Sequence, residues 1–175
     1  ESGSKKMEKK NISMHFLLHE VCNYYESYGE MERKHVELKL PDYDITTAID
    51  IDCMQKILMN LMSNALKYAR SRIVVTMERD GEDSVKISVI DDGPGISDDE
   101  KKKILIAKIL GTGLGLAYAN TLATAHGASL GVEDAPDGGS CFTITMPIEL
   151  VEEEENAEKE KPQSITDDSK VADDD

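Results

Sequence analysis

The chain has 175 residues, 39% of them hydrophobic, with 35 acids against 20 lysines and arginines and a formal charge of −15, which is enough material for one globular domain with its own core. About half of the excess charge sits in Glu152 to Asp175, where eleven acids face three lysines, and no basic stripe appears elsewhere; this excludes nucleic acid as a partner, because phosphate backbones are held by clustered Lys and Arg. Cys22, Cys53 and Cys141 are odd in number and match neither a C-x-x-C nor a Cys/His pattern, so a reducing, cytoplasmic setting is expected, and with no apolar run near the ~20 residues that span a bilayer, any membrane link has to lie outside these residues.

In chain order, residues 1–10 read as a linker or cloning remnant, residues 11–150 as the folded domain and residues 151–175 as an acidic tail. From Ser13 to about Arg33, Phe16, Leu17, Val21, Tyr24, Tyr25 and Tyr28 recur at three- and four-residue steps, the period of an amphipathic helix. Val36 to Leu40 and Thr47 to Ile51 alternate around Pro41-Asp42 and predict two short strands. Asp52 is expected to cap a second helix running to about Ala69, with Ile57, Leu58, Leu61, Met62, Ala65, Leu66 and Ala69 on its apolar face. Arg72 to Glu78 and Ser84 to Ile90 form a hairpin around Asp80-Gly81. After a Gly/Pro turn and a charged stretch from Asp98 to Lys103, Gly111 to Leu116 opens a third helix, which Gly127 ends. Ser129 to Glu133 and Ser140 to Met146 make a last hairpin, so helices cover one face of a mixed sheet. The tail has only Ile165 and Val171 as apolar material beyond Glu152, too little to offset its ordering entropy, and disorder is expected there.

Three segments carry chemistry. Asn60, Asn64 and Lys67 at i, i+4 and i+7 share a stripe about 60° wide on the second helix; the amide oxygens suit Mg²⁺ and the lysine suits phosphates, although the stripe alone reads more readily as a solvated helix face. Asp91 ends a strand and is followed by Asp92-Gly93-Pro94-Gly95. Its carboxylate accepts hydrogen bonds only, as an adenine amine requires, and an ordinary Asp-Gly turn is the plainer alternative. Gly111-Thr112-Gly113-Leu114-Gly115-Leu116 precedes a helix whose free N–H groups can hold phosphate oxygens, or it is merely a flexible entry. It is neither a Walker loop nor a Rossmann fingerprint, since no Gly-Lys-Ser/Thr follows and Leu116 stands where the third glycine belongs.

Taken in order, Asn60-Leu61-Met62-Ser63-Asn64-Ala65-Leu66-Lys67-Tyr68, Asp91-Asp92-Gly93-Pro94-Gly95-Ile96 and Gly111-Thr112-Gly113-Leu114-Gly115-Leu116 make a chain that resembles the gyrase, heat-shock chaperone, histidine kinase and MutL ATPase superfamily, from about Ser13 through Pro147. The resemblance implies a Bergerat fold, a two-layer α/β sandwich of a mixed, mostly antiparallel sheet with three main helices on one face. It implies ATP and Mg²⁺ as cofactors: Asn64 as the metal ligand, Asn60 supporting ion and phosphates, Lys67 and Tyr68 on the nucleotide, and Asp91 reading adenine. Gly93, Gly95, Ile96, Gly111, Thr112, Gly113, Leu114, Gly115, Leu116 and Thr143 would complete the cofactor site. Hydrolysing members carry a glutamate where Asn60 stands, and an amide cannot serve as a base for water. The sequence is more similar to sensor histidine kinases, which implies a protein histidine kinase domain with Asn60 and Lys67 as catalytic groups. Its partners would be a dimerisation and histidine-phosphotransfer hairpin and a response regulator or fused receiver domain.

Two departures qualify that expectation. Only fifteen residues, Ile96 to Leu110, lie between Gly95 and Gly111. That is shorter than typical lids, and the Phe-x-x-Phe pair is missing, with Ile106 and Ile109 at the right spacing to stand in. A shortened lid makes a non-catalytic nucleotide-binding or docking module the alternative, with a hydrolysing relative or an anti-sigma-type serine kinase behind it. Second, none of His15, His19, His35 and His126 has an acceptor motif, so the phosphate acceptor is expected on other sequence, and autophosphorylation of these residues alone is not expected.

Overall fold

The computed structural model describes residues 6–104 and 114–153. Strand β1 (Lys10–Ser13) leads directly into helix α1 (Met14–Met31), because Ser13 has extended backbone and its hydroxyl accepts the Phe16 N–H at 3.1 Å, the usual N-cap arrangement. The helix stops two residues before the predicted Arg33. Arg33 takes φ +58, and the Lys34 N–H returns to the Gly29 carbonyl at 2.7 Å, a left-handed stop that satisfies an end carbonyl. Strands β2 (His35–Lys39) and β3 (Thr46–Ile49) follow. β3 pairs antiparallel with β1, a strand that had no alternation to reveal it.

Helix α2 (Ile51–Tyr68) begins two residues earlier than expected. Its cap is Asp50, not Asp52: Asp50 has the extended backbone, and its carboxylate accepts the Cys53 N–H at 3.0 Å. Asp52 lies inside the first turn, where its charge suits the positive end of the dipole. The hairpin of β4 (Arg72–Asp80) and β5 (Ser84–Asp91) closes at Gly81 with φ +69. The charged stretch after the Gly/Pro turn forms a short helix, α3 (Asp98–Ile104), whose lysines and acids hid any apolar period. The third predicted helix is α4 (Leu114–His126), ended by Gly127 at φ +83; Gly111, Thr112, Gly113, Ile106 and Ile109 lie outside the described residues, as does the tail from residue 154. Strands β6 (Ser129–Asp134) and β7 (Ser140–Pro147) complete the chain.

The main sheet runs β2-β4-β5-β7-β6, with β2 parallel to β4 and every other pair antiparallel. Its inner face presents Ile73, Val75, Val85, Ile87, Val89, Phe142 and Ile144 to Leu17, Leu18 and Val21 of α1 and to Ile57, Leu58, Leu61 and Met62 of α2, all buried in one cluster. Each such side chain contributes roughly 1.5–3 kcal/mol on burial, so a two-layer α/β sandwich follows from the strand alternation and the helix stripes. Strand β5 lies between β4 and β7, and its last residue, Asp91, is therefore delivered to the rim of the core.

Candidate functional site

Asp91 has the same parity along β5 as Val85, Ile87 and Val89, so it continues the core face, and it is only 3% exposed. Its Oδ1 accepts the Gly93 N–H at 2.9 Å and the Ser140 N–H at 3.4 Å. Burial pushes the carboxyl above its ordinary value, against the pull of those hydrogen bonds, because the charged form loses hydration. A carboxylate left at the edge of an apolar core is a costly device, of the kind found where a ligand supplies the missing donor.

The turn after it is wedged between two other segments. A Cβ on Gly93 would stand 2.4 Å from the Tyr68 carbonyl oxygen at the end of α2. Gly95 has φ +79, and a Cβ there would meet the Gly138 carbonyl at 3.1 Å; a Cβ on Gly139 would meet the Asp91 carbonyl at 1.7 Å. Backbone packs directly on backbone at these points, which only glycine permits. Pro94 is exposed, and Ile96 is half-buried against the core.

Asp92, read from the sequence only as part of a turn, has its own partners. Its carboxylate accepts the Arg70 N–H at 2.8 Å, the Ser71 N–H at 3.0 Å and the Ser71 hydroxyl at 2.7 Å. Desolvation pushes its pKa up, but the hydrogen bonds from Ser71 and its backbone neighbours outweigh that and hold it at about 2.

On α2 the polar stripe is half-buried at Asn60 and Asn64 and exposed at Lys67. Asn60 Nδ2 donates to the Lys56 carbonyl at 2.9 Å, which turns its Oδ1 toward α4: a Cβ on Gly115 would stand 2.9 Å from that oxygen. Lys67 Nζ lies 5.2 Å from the centroid of the Tyr68 ring, within cation–π range. Leu114 opens α4, Gly115 is exposed, and Leu116 is buried in the core. A cleft of about 580 Å³ between α1 and α2, lined by Tyr24, Tyr25, Tyr28 and Met59 among others, adjoins this cluster through Lys67.

The structure thus brings Asn60 to Gly115, Tyr68 to Gly93, and Asp91 to the β6–β7 turn. Thr143 is not part of that gathering. It pairs with Ser88 and Gly131 and takes the opposite parity from Phe142, on the sheet face away from the helices. Ser140, three residues earlier, is the hydroxyl beside Asp91. Counting back from Phe142 by twos along β7 would have found it, since alternation puts Ser140 and Phe142 on one face.

The three cysteines are unpaired and buried, and burial, reinforced by Glu26, pushes the Cys22 thiol up to about 12, so none has thiolate character. His126 is 3% exposed, and its Nε2 accepts the Asp50 N–H at 2.9 Å, a structural role at the start of α2.

A family model described as histidine kinase-, DNA gyrase B-, and HSP90-like ATPase matches residues 49–150. The chain belongs to that family. Among the relatives of this ATPase domain, the sensor histidine kinase WalK of Bacillus subtilis is 34% identical over 139 residues, covering 71% of this chain and 23% of its own length. The adaptive-response sensory kinase SasA of Parasynechococcus marenigrum is 35% identical over 106 residues, covering 54% of this chain and 28% of its own length. The chain therefore spans less than a third of the length of these relatives. Among solved structures, the catalytic domain of histidine kinase ThkA superposes with a TM-score of 0.74 at 25% identity, over 82% of this chain and 97% of that one. Full-length ShkA in complex with AMPPNP superposes with a TM-score of 0.77 at 23% identity, over 86% of this chain and 33% of that one, a likeness of fold. The ATPase domain thus has the fold and the relatives of a histidine kinase catalytic domain. No helix among its described residues is long and apolar enough to cross a membrane.

Proposed function

We propose that the chain binds Mg-ATP as the catalytic domain of a two-component sensor histidine kinase and passes the γ-phosphoryl group to a histidine on a separate dimerisation hairpin. The observation that carries this reading is the meeting of Asn60 with Gly115 and of Tyr68 with Gly93 beside buried Asp91. It supports a rim at which amide oxygens, a lysine, the N-terminal end of a helix and a buried carboxylate would meet the nucleotide. Asp91 would accept the exocyclic amine of adenine, Lys67 would meet phosphate oxygens, and Tyr68 would pack on the nucleotide. Asn64, with Asn60 beside it, would hold Mg²⁺. The donor set fits, because this ion keeps most of its ligands as water and phosphate and needs one or two hard oxygens from protein. When bound, the ion neutralises phosphate charge.

Asn60 favours transfer over hydrolysis, since its amide cannot take a proton from water, whereas an acceptor imidazole is a nucleophile in its own right near neutral pH. The protein's part is positioning: Asp91 fixes the base, and Asn60, Asn64 and Lys67 fix the phosphates. The hairpin of the parent kinase is then the immediate partner, and a response regulator or fused receiver domain the next. That ShkA was solved with AMPPNP and that the relatives are sensor kinases support this assignment.

The test is calorimetric titration with a non-hydrolysable ATP analogue, with and without Mg²⁺, on the unsubstituted chain and on Asn64→Ala. Magnesium-dependent binding that Asn64→Ala abolishes supports the assignment; a variant that binds as before refutes the metal ligand. The short interval between Gly95 and Gly111 and its missing phenylalanine pair favour one second reading, a docking module that binds nucleotide without transfer. Supplying the acceptor hairpin separates the two, since acid-labile phosphate on its histidine appears only if the domain is a kinase.

A further inference from the structure

The segment that leaves α2 and enters β4 has backbone N–H groups beyond the helical ladder, and such groups need partners when they are drawn against the fold. Two of them, on Arg70 and Ser71, are taken by the Asp92 carboxylate. Oδ1 accepts both, at 2.8 and 3.0 Å, and Oδ2 accepts the Ser71 hydroxyl at 2.7 Å and shares the Ser71 N–H at 3.2 Å. The Asp92 N–H in turn donates to the Arg72 carbonyl at 3.3 Å. One residue on, the Gly93 backbone lies against the Tyr68 carbonyl. The end of α2 is therefore tied to the end of β5 at two adjacent points.

This tie falls between the two halves of the site. On one side are Lys67 and Tyr68, and on the other Asp91. The apolar anchors of α2, from Cys53 to Ala65 with Leu66 and the C-cap Ala69 beyond them, hold the helix as a body, but Lys67 and Tyr68 stand exposed between the last two. We propose that Asp92 is a positioning residue: without touching nucleotide, its carboxylate sets the separation between the Lys67–Tyr68 end of α2 and Asp91, and so sets nucleotide affinity. The inference rests on the nucleotide-binding reading given above. It differs from a purely structural role, in which loss of the carboxylate lowers stability and leaves affinity unchanged in the folded protein.

The experiment compares the unsubstituted chain, Asp92→Ala, Asp92→Asn and Ser71→Ala by titration with the non-hydrolysable ATP analogue, with thermal melting and amide exchange measured without nucleotide. Asp92→Ala is expected to lose protection at Arg70 and Ser71 and to bind about tenfold more weakly or worse, since small misplacements of positioning groups carry penalties of that order. Asp92→Asn keeps an oxygen for the same two N–H groups and an amide donor for Ser71 Oγ, and is expected to restore affinity to within about threefold. A folded Asp92→Ala with unchanged affinity overturns the proposal, and so does an Asp92→Asn that binds as poorly as Asp92→Ala. If Asp92→Ala does not fold, Asp92→Asn and Ser71→Ala carry the test: near-native affinity in the first with weakened affinity in the second supports it, and unchanged affinity in Ser71→Ala overturns it. Failure of the unsubstituted chain to bind the analogue removes the nucleotide-binding reading itself, and this inference with it; binding there with no response to the substitutions removes this inference alone.

Discussion

Gly139→Ala is the sharpest perturbation the structure offers, because the added methyl meets backbone from the first atom. A Cβ at that position would lie 1.7 Å from the Asp91 carbonyl oxygen, 2.6 Å from its carbon and 3.0 Å from Asp92 Cα. Ordinary carbon–oxygen contact begins near 3.3 Å, so the β6–β7 turn has to move away from the end of β5 by roughly 1.5 Å. No side-chain rotation relieves the clash. Overpacking of this kind costs about 1–3 kcal/mol, and the Ser140 N–H to Asp91 contact, at 3.4 Å already long, would be lost for about 1 kcal/mol more. The expected destabilisation is about 2–4 kcal/mol, or a fall in Tm of about 4–16 °C for a domain of this size. Gly81→Ala is the control: its φ is +69 but nothing lies within 4 Å of the added Cβ, so only backbone strain of about 1–2 kcal/mol applies. Urea denaturation of both variants checks the ordering. A Gly139→Ala chain that unfolds at the same urea midpoint as the unsubstituted one would refute the close-approach argument, and with it the view that this turn locates Asp91.

Three further outcomes are expected. Asp91→Asn keeps the oxygen that accepts from Gly93 and Ser140 but removes a charge that burial disfavours. The folded pKa of Asp91 is raised, so its ionised form opposes folding as pH rises through that value; the variant should melt no lower than the unsubstituted chain at neutral pH while losing adenine nucleotide binding by titration. Gly115→Ala should leave Tm unchanged or raise stability by up to about 1 kcal/mol through helix propensity, yet weaken nucleotide binding, because its methyl displaces the Asn60 amide rather than backbone; unchanged affinity would separate Asn60 from the site. His126 is buried beside Lys9, Asp50 and Glu149, and burial first, then Lys9, lowers its pKa from the ordinary 6.5. Its neutral form is the one that accepts from Asp50, so stability is complete above about pH 6.5 and falls as the pH drops below that toward the lowered value. Urea midpoints across that window should decline, and His126→Gln, which retains an acceptor, should flatten the decline.

Much of this fold is legible in local pattern. The three-and-four spacing of α1 and α2, the alternation of β4, β5 and β7, and the glycines that close the β4–β5 hairpin and end α4 follow from periods and backbone freedom that neighbouring residues alone express. Where local signals were weak or misleading, a distant partner made the difference. β1 is a strand because β3 lies beside it, not because Lys10 to Ser13 alternate. Asp50 caps α2 in preference to Asp52, with the Glu8 N–H and the His126 ring also bound there.

The candidate site divides in the same way. Asn60, Asn64, Lys67 and Asp91 are conspicuous by residue type and spacing, since amides on one helix face and an acid at a strand end are local facts. Ser140, Gly139 and the Asp92 tie to Arg70 and Ser71 are not, because their meaning lies in contacts between residues 21 to 49 positions apart. Thr143 shows the limit from the other side: the family resemblance suggested it for the site, and strand parity puts it on the face opposite Ser140. The sequence by itself determined which groups are available and the period on which each element is built, because both depend on residues within a turn or two of one another. Only the tertiary structure decided which oxygen meets which N–H across the rim, because that depends on how β5 is seated between β4 and β7 and how closely glycine lets the turns approach.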